Sequence, residues 1–165
     1  MQWYNHRLVT ATCVYAATGS LLPTLFACQG SIFPDSIEGH NYDSEWKKKH
    51  RTKSHYWPFY LVPVVLCAFY LKTMVLPWSV NEWLVWFQND SFNCIVSGVI
   101  YAVMWGSIGA LCHIAEDFFC GGVPLINPNE RVGVRLFKVA TPQEYRISFG
   151  LMIFFMAIAF FRFHY

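Results

Sequence analysis

Long uncharged stretches alternate with short polar ones along this chain. No Asp, Glu, Lys or Arg falls between Arg7 and Asp35, Lys53 and Lys72, Asp90 and Glu116, or Arg146 and Arg162, leaving gaps of 27, 18, 25 and 15 residues. A helix crosses a bilayer with about 20 apolar residues. The pattern therefore predicts an all-α integral membrane protein with about three transmembrane helices. The second gap predicts a span over 56–78, with Trp57 and Trp78 at the two interfaces, Pro58 in the first turn and Pro63 as a kink. The third predicts a span over 92–112, where Gly98, Ser107 and Gly109 offer close helix contact. The last, over 147–161, is short and is able to snorkel through Arg162. Between the second and third, SVNEWLVWF sets Trp83 and Trp86 at i,i+3 and reads as a helix lying along the interface.

The first stretch is different. Gly19, Ser20 and Pro23 interrupt its centre, and Thr10, Thr12, Thr18 and Gln29 add polarity. It reads either as one kinked span or as a re-entrant helical hairpin with arms over about 6–18 and 22–33. Each arm would be about 18 Å long at 1.5 Å per residue, too short to cross alone.

Composition sharpens the class. The 165 residues are one domain's worth of chain, 55% hydrophobic and only 13% charged, where a soluble domain carries about 25% charged residues. The six cysteines show no CxxC spacing and read as apolar packing residues rather than disulfides or a zinc ribbon. The N-terminal MQWYNHR does not resemble a cleavable signal. A net charge of +2, segregated into loops, does not suit a nucleic-acid binder. Positive charge gathers in two loops. One holds Lys47, Lys48, Lys49, Arg51 and Lys53, the other Arg131, Arg135, Lys138 and Arg146. Both are assigned to the cytoplasmic side, since basic residues hold that side of membrane proteins.

That assignment brings histidines and carboxylates to one face. His113 and Asp117 are i,i+4, on one side of a helix, and can share a metal ion. Glu116 lies about 100° round the same helix and reads as a base or a salt-bridge partner. Asp35 follows Pro34 where the first element leaves the membrane. His50 and His55 flank HRTKSH, five apart, and so bind from a turn or divide between ligand and supporting roles. Each feature has an ordinary reading as well. A helix-end histidine is commonly a cap, the lysines a topology anchor, and Gly121, Gly122 and Pro124 a helix stop.

Four blocks, His6, GSIFPDSIEG, HRTKSH and GALCHIAEDFFCGGVPLINP, occur in the order of a known pattern. Over residues 6–128 the chain resembles the YdjM-like, LexA-linked family of bacterial inner-membrane proteins assigned as metal-dependent hydrolases. The resemblance implies a multi-pass inner-membrane protein whose metal site is drawn from His6, Asp35, His50, His55, His113 and Asp117. It also supports the hairpin, which returns His6 and Asp35 to the same face. Where the family has a second aspartate, this chain has Ile37, with Glu38 beside it as a substitute. The family is distantly similar to zinc-dependent phospholipase C and nuclease P1, which implies phosphodiester or phospholipid hydrolysis.

The expected protein is thus a single domain, 1–165, with a divalent metal, zinc first by ligand type, at its cytoplasmic face. Glu116 would take a proton, and Arg51 and Lys53 would neutralise phosphoryl charge. The expected partner is membrane lipid, with an anionic phospholipid as substrate. Two other functions fit the same residues. One is a non-enzymatic membrane assembly protein stapled by a structural metal, and the other is a small ion or proton transporter.

Overall fold

A computed structural model describes residues 1–39, 51–73 and 80–164. His50, Lys47, Lys48, Lys49 and Trp78, all singled out from the sequence, lie outside the described residues. The described residues form seven α-helices, one 3-10 turn and no strand beyond a single bridge between Val123 and Val132.

The first stretch is a helical hairpin. α1 (Trp3–Thr18) stops at Gly19, whose φ of +67° is the left-handed conformation that glycine adopts without penalty, and whose N–H donates to the Tyr15 carbonyl at 2.7 Å. α2 (Leu21–Gly30) then runs back along α1. Pro23 sits in its first turn, where a missing N–H leaves no helix bond unmade. A short α3 (Phe33–Glu38) follows, with Pro34 at its start.

The remaining helices supply length. The 3-10 turn (Lys53–His55) leads into α4 (Pro58–Leu71), and together Lys53–Leu71 is long and apolar enough to cross a membrane. α5 (Val80–Asn89) packs on α6 and carries Trp83 and Trp86 with ring centroids 5.5 Å apart. α6 (Ser91–Cys120) and α7 (Pro142–His164) also meet the length and composition of a span. α6 is capped by the Asp90 side chain. At 30 residues it runs about 45 Å, so it continues past the span's expected end at Cys112 and carries His113, Glu116 and Asp117 on one helix, as their spacing predicts. α7 is likewise longer than the uncharged run suggests. Its 23 residues include Glu144 and Arg146 in the first turns and Arg162 in the last, and charges at helix ends do not terminate a helix.

The packing is inside-out relative to a water-soluble bundle. Phe59, Val62, Val65, Leu66 and Phe69 on α4, and Phe149, Ile153, Phe154, Phe160 and Phe161 on α7, are exposed. A continuous apolar exterior of this kind suits hydrocarbon rather than water. The interior instead collects polar groups, with Asn5, His6, Thr10, His55, His113, Asp117 and Glu144 buried.

α2 and α4 pack along α6, while α1 packs between α2 and α7. The α2–α6 seam is the closest. A Cβ on Gly109 would stand 2.0 Å from the Ala27 carbonyl oxygen, and one on Gly30 would stand 2.0 Å from that of Gly106. Gly109 therefore serves the close contact expected of it. Gly98 does not, since its added Cβ would meet only the Trp83 ring, at 3.6 Å.

Glu144 fastens α7 to the start of α1. Its carboxylate accepts from the Gln2 N–H at 2.6 Å, the Asn5 amide at 2.7 Å and the Ala140 N–H at 2.6 Å. Each buried donor left without a partner costs about 1–3 kcal/mol. Glu144→Ala is therefore expected to lose on the order of 3 kcal/mol of stability, read as a lower denaturant midpoint in detergent.

Candidate metal centre

Three elements deliver four ligand atoms to one place. α6 presents His113 and Asp117 one turn apart, the 3-10 turn presents His55, and α3 presents Asp35. His55 Nε2 and His113 Nε2 are 3.1 Å apart. Asp117 Oδ2 is 3.4 Å from His55 Nε2 and 3.5 Å from His113 Nε2. Asp35 Oδ1 is 3.4 and 3.6 Å from the same two nitrogens. All four atoms lie within 4.8 Å of one another.

These separations test the fit to a metal. Donors about 2.0–2.1 Å from a tetrahedral zinc stand about 3.3 Å from each other, close to the spacing here. Asp35 Oδ1 is moreover buried with no hydrogen-bond partner, and a buried carboxylate oxygen left in that state is costly unless a cation serves it. Two imidazoles and two carboxylates suit zinc, and also iron or manganese. The residues fit a divalent cation.

The surrounding groups aim the ligands. Glu38 Oε1 lies 3.2 Å from His55 Nδ1 and also accepts from the Ser54 hydroxyl and, at 2.9 Å, from the Arg51 N–H. A carboxylate only accepts, so it draws a proton to Nδ1, and in a metal-bound, neutral His55 that would leave the Nε2 lone pair facing the site. The helix explains why Glu38 does this and Ile37 does not. Two residues beyond Asp35 points away, and Ile37 is exposed, whereas three residues beyond returns to the same face. Trp3 Nε1 donates to Asp35 Oδ2 at 3.0 Å, which leaves Oδ1 for the site. The His6 ring stacks on that of His113 with centroids 3.8 Å apart.

Burial opposes ionisation of Asp35, yet the His113 and His55 rings beside it outweigh that cost and hold the carboxyl well below its usual range. Arg51 meets both oxygens of Asp117, with Nε 2.7 Å from Oδ2, the oxygen that faces the cluster, and Nη2 2.9 Å from Oδ1. Burial there favours a neutral guanidinium, but the Asp117 charge overrides it and raises the Arg51 pKa. Arg51 adopts φ of +60°, uncommon for a residue with a side chain, and the backbone is held there by Glu38. Gly121 makes room, since its Cβ would fall 1.9 Å from Arg51 Nη1. The Met1 amine also lies 2.6 Å from Asp117 Oδ1 and 3.1 Å from Cys120 Sγ.

Of the residues singled out from the sequence, Asp35, His55, His113 and Asp117 form the four-atom set. His6 stands beside it, with Nε2 3.4 Å from Asp117 Oδ1 and Nδ1 2.6 Å from Glu116. Glu116 is committed to His6 and to the Thr10 hydroxyl, 3.1 Å away, so it reaches the cluster only through His6. Arg51 is at the cluster, while Lys53 is exposed on the 3-10 turn. Trp3 and Thr10 are neighbours of this cluster that the sequence pattern does not assign to it. Each belongs to α1, on the face that carries His6, and i,i+3 and i,i+4 spacing from a suspected ligand is the available signal.

No protein-family model, curated protein or solved structure matches this chain. The geometry itself is what bears on function. One outcome follows from the Glu38 contact. Glu38→Gln, which keeps the shape but not the charge, is expected to weaken metal binding by roughly 10–100-fold, measured by competition with a chromophoric chelator.

Proposed function

We propose that this chain is a metal-dependent hydrolase of a bacterial inner membrane, acting on a phosphate ester, with an anionic phospholipid as the leading substrate. The observation that carries the reading is the convergence of Asp35, His55, His113 and Asp117 donor atoms at metal-ligand spacing, beside a partly buried arginine. The order of the His and Asp blocks in the sequence supports it further. The metal would be held by those four residues and would supply Lewis acidity and an acidified water.

The chain's own groups have distinct tasks in this reading. His6 Nε2 is buried without a hydrogen-bond partner, and Glu116 backs its other nitrogen at 2.6 Å. A carboxylate-backed imidazole is a suitable proton acceptor, so the base is His6 with Glu116 as its orienting partner. The Arg51 guanidinium already lies over Asp117 and would pair with a non-bridging phosphoryl oxygen. Sidedness rests on Arg51, Lys53, Arg131, Arg135, Lys138 and Arg146, whose charge assigns the site end to the cytoplasm.

A structural staple is the second reading. Four protein donors would close a tetrahedral zinc, whereas a hydrolytic zinc keeps a position for water. One experiment separates the two. Purified chain in anionic bilayers is offered a panel of phospholipids and soluble phosphodiesters, with Asp117→Asn as control. Turnover by the wild type with at least a roughly 100-fold loss in the control is the expected result, the scale of a lost electrostatic or acid–base contribution. A metal-loaded wild type as silent as the control would establish the staple.

A further inference from the structure

The loop joining α6 to α7 holds side chains that neither the core nor the metal centre uses. Leu125, Ile126, Val132, Val134 and Leu136 are all exposed, Ile126 at 90%. This is a built element rather than a slack connection. Val123 and Val132 exchange N–H···O bonds of 3.0 Å, and the Val134 and Leu136 N–H groups cap the Phe118 and Phe119 carbonyls at 2.9 and 2.7 Å. With those backbone groups satisfied, the apolar side chains point outward.

The loop's position says what they face. Trp57 Nε1 donates to the Leu125 carbonyl at 2.7 Å, and the Tyr56 hydroxyl donates to that of Ile126 at 3.2 Å. Both donors stand at the start of α4, so the loop is tied to the entry of one candidate span. It also begins where α6 ends and finishes where α7 starts. All three candidate spans thus have an end at this loop, which sets it at the level of a bilayer surface. Residues 121–141 carry Arg131, Arg135 and Lys138 against Glu130, a net charge of +2.

We propose that the α6–α7 loop is a lipid-docking surface, whose apolar side chains enter the headgroup boundary while its basic residues pair with anionic phospholipid headgroups. Apolar tips flanked by lysine and arginine match an anionic leaflet in both polarity and charge. The loop rests at the interface rather than deeper, because irregular backbone is not carried into hydrocarbon exposed to lipid. The proposal rests on the membrane-spanning reading of α4, α6 and α7 and is independent of the metal.

The test places a fluorescent amino acid at position 126 of the full chain in nanodiscs of phosphatidylcholine with one-third phosphatidylglycerol, a mixture chosen for anionic charge. Spin labels are carried near the headgroup on either lipid, and iodide serves as an aqueous quencher. Headgroup-level labels are expected to quench the probe and iodide to leave it largely unquenched. Phosphatidylglycerol-borne labels should quench more than phosphatidylcholine-borne ones. The triple change Arg131→Gln, Arg135→Gln, Lys138→Gln is expected to abolish that preference while lipid quenching persists. A probe quenched by iodide and untouched by lipid labels overturns the proposal. A preference unchanged in the triple variant overturns its electrostatic half. A folded chain that does not enter nanodiscs overturns the spanning reading and this one with it.

Discussion

Purified in detergent, the wild-type chain is expected to carry one divalent transition metal per chain, and His113→Ala combined with Asp117→Ala to carry none. The size of the effect follows from where the two residues stand. They supply one imidazole and one carboxylate of the four donors, both from α6, and His55 and Asp35 alone make a site with half its ligands. Removing Asp117 also strips Arg51 of its partner at 2.7 Å and leaves a partly buried guanidinium in surroundings arranged for an anion. Single His113→Ala serves as the gentler companion, since it removes one neutral donor and leaves the Asp117–Arg51 pair intact. Stability should report the same binding. A ligand present at about 1,000 times its Kd stabilises the folded state by about 4 kcal/mol. For a chain of this size each kcal/mol is worth about 2–4 °C in Tm, so a chelator should lower the wild-type Tm by roughly 8–16 °C. The double variant should not respond to chelator at all. Elemental analysis and thermal scans with and without chelator check both halves. Near-zero metal in wild type and variant alike would remove the centre.

Much of this centre is legible in the sequence because its parts announce themselves locally. Charge gaps mark the three helices long and apolar enough to cross a membrane. The i,i+4 spacing of His113 and Asp117 is enough by itself to place both on one helix face. The break at Gly19 and Ser20 gives the hairpin that brings His6 and Asp35 together. The supporting groups are far less legible. Glu38 behind His55, Glu116 behind His6 and Glu144 at Gln2 are 17, 110 and 142 residues apart in the chain. No periodicity encodes contacts of that kind, because they depend on how helices stack rather than on what each helix is. Glu116 shows the difference well. Its angle on α6 is readable, but the neighbour waiting there is not, and of the two roles the sequence allows, base or salt-bridge partner, the contact with His6 is that of the partner. The helix past Cys112 is legible from the same i,i+4 spacing, but its last turn is not, since the Phe118 and Phe119 carbonyls are capped by the loop's Val134 and Leu136 N–H groups.

Gly109→Ala, a single added methyl group one helical turn before His113 on a residue that is not itself a ligand, is expected to empty the metal centre. The added Cβ would sit 2.0 Å from the Ala27 carbonyl oxygen and 2.9 Å from its Cα, both backbone atoms. A side chain could turn aside, but a helix backbone cannot, so α2 and α6 must separate. Overpacking a well-filled core usually costs about 1–3 kcal/mol, and a clash with backbone belongs at or above the top of that range. The consequence reaches the site through chain connectivity. α2 leads directly into α3, which carries Asp35 and Glu38, while His113 and Asp117 ride on α6. Pushing α2 off α6 therefore draws one carboxylate ligand and the His55 support away from the other ligands, though every ligand residue is still present. Ligand spacings of 3.4–3.6 Å between Asp35 and the two histidines leave little tolerance for such a shift. Gly98→Ala is the matched control, on the same helix, where the new methyl meets the Trp83 ring at an ordinary 3.6 Å. It should keep wild-type metal content and Tm, whereas Gly109→Ala loses both. If the two variants hold metal equally well, the α2–α6 seam does not position the centre.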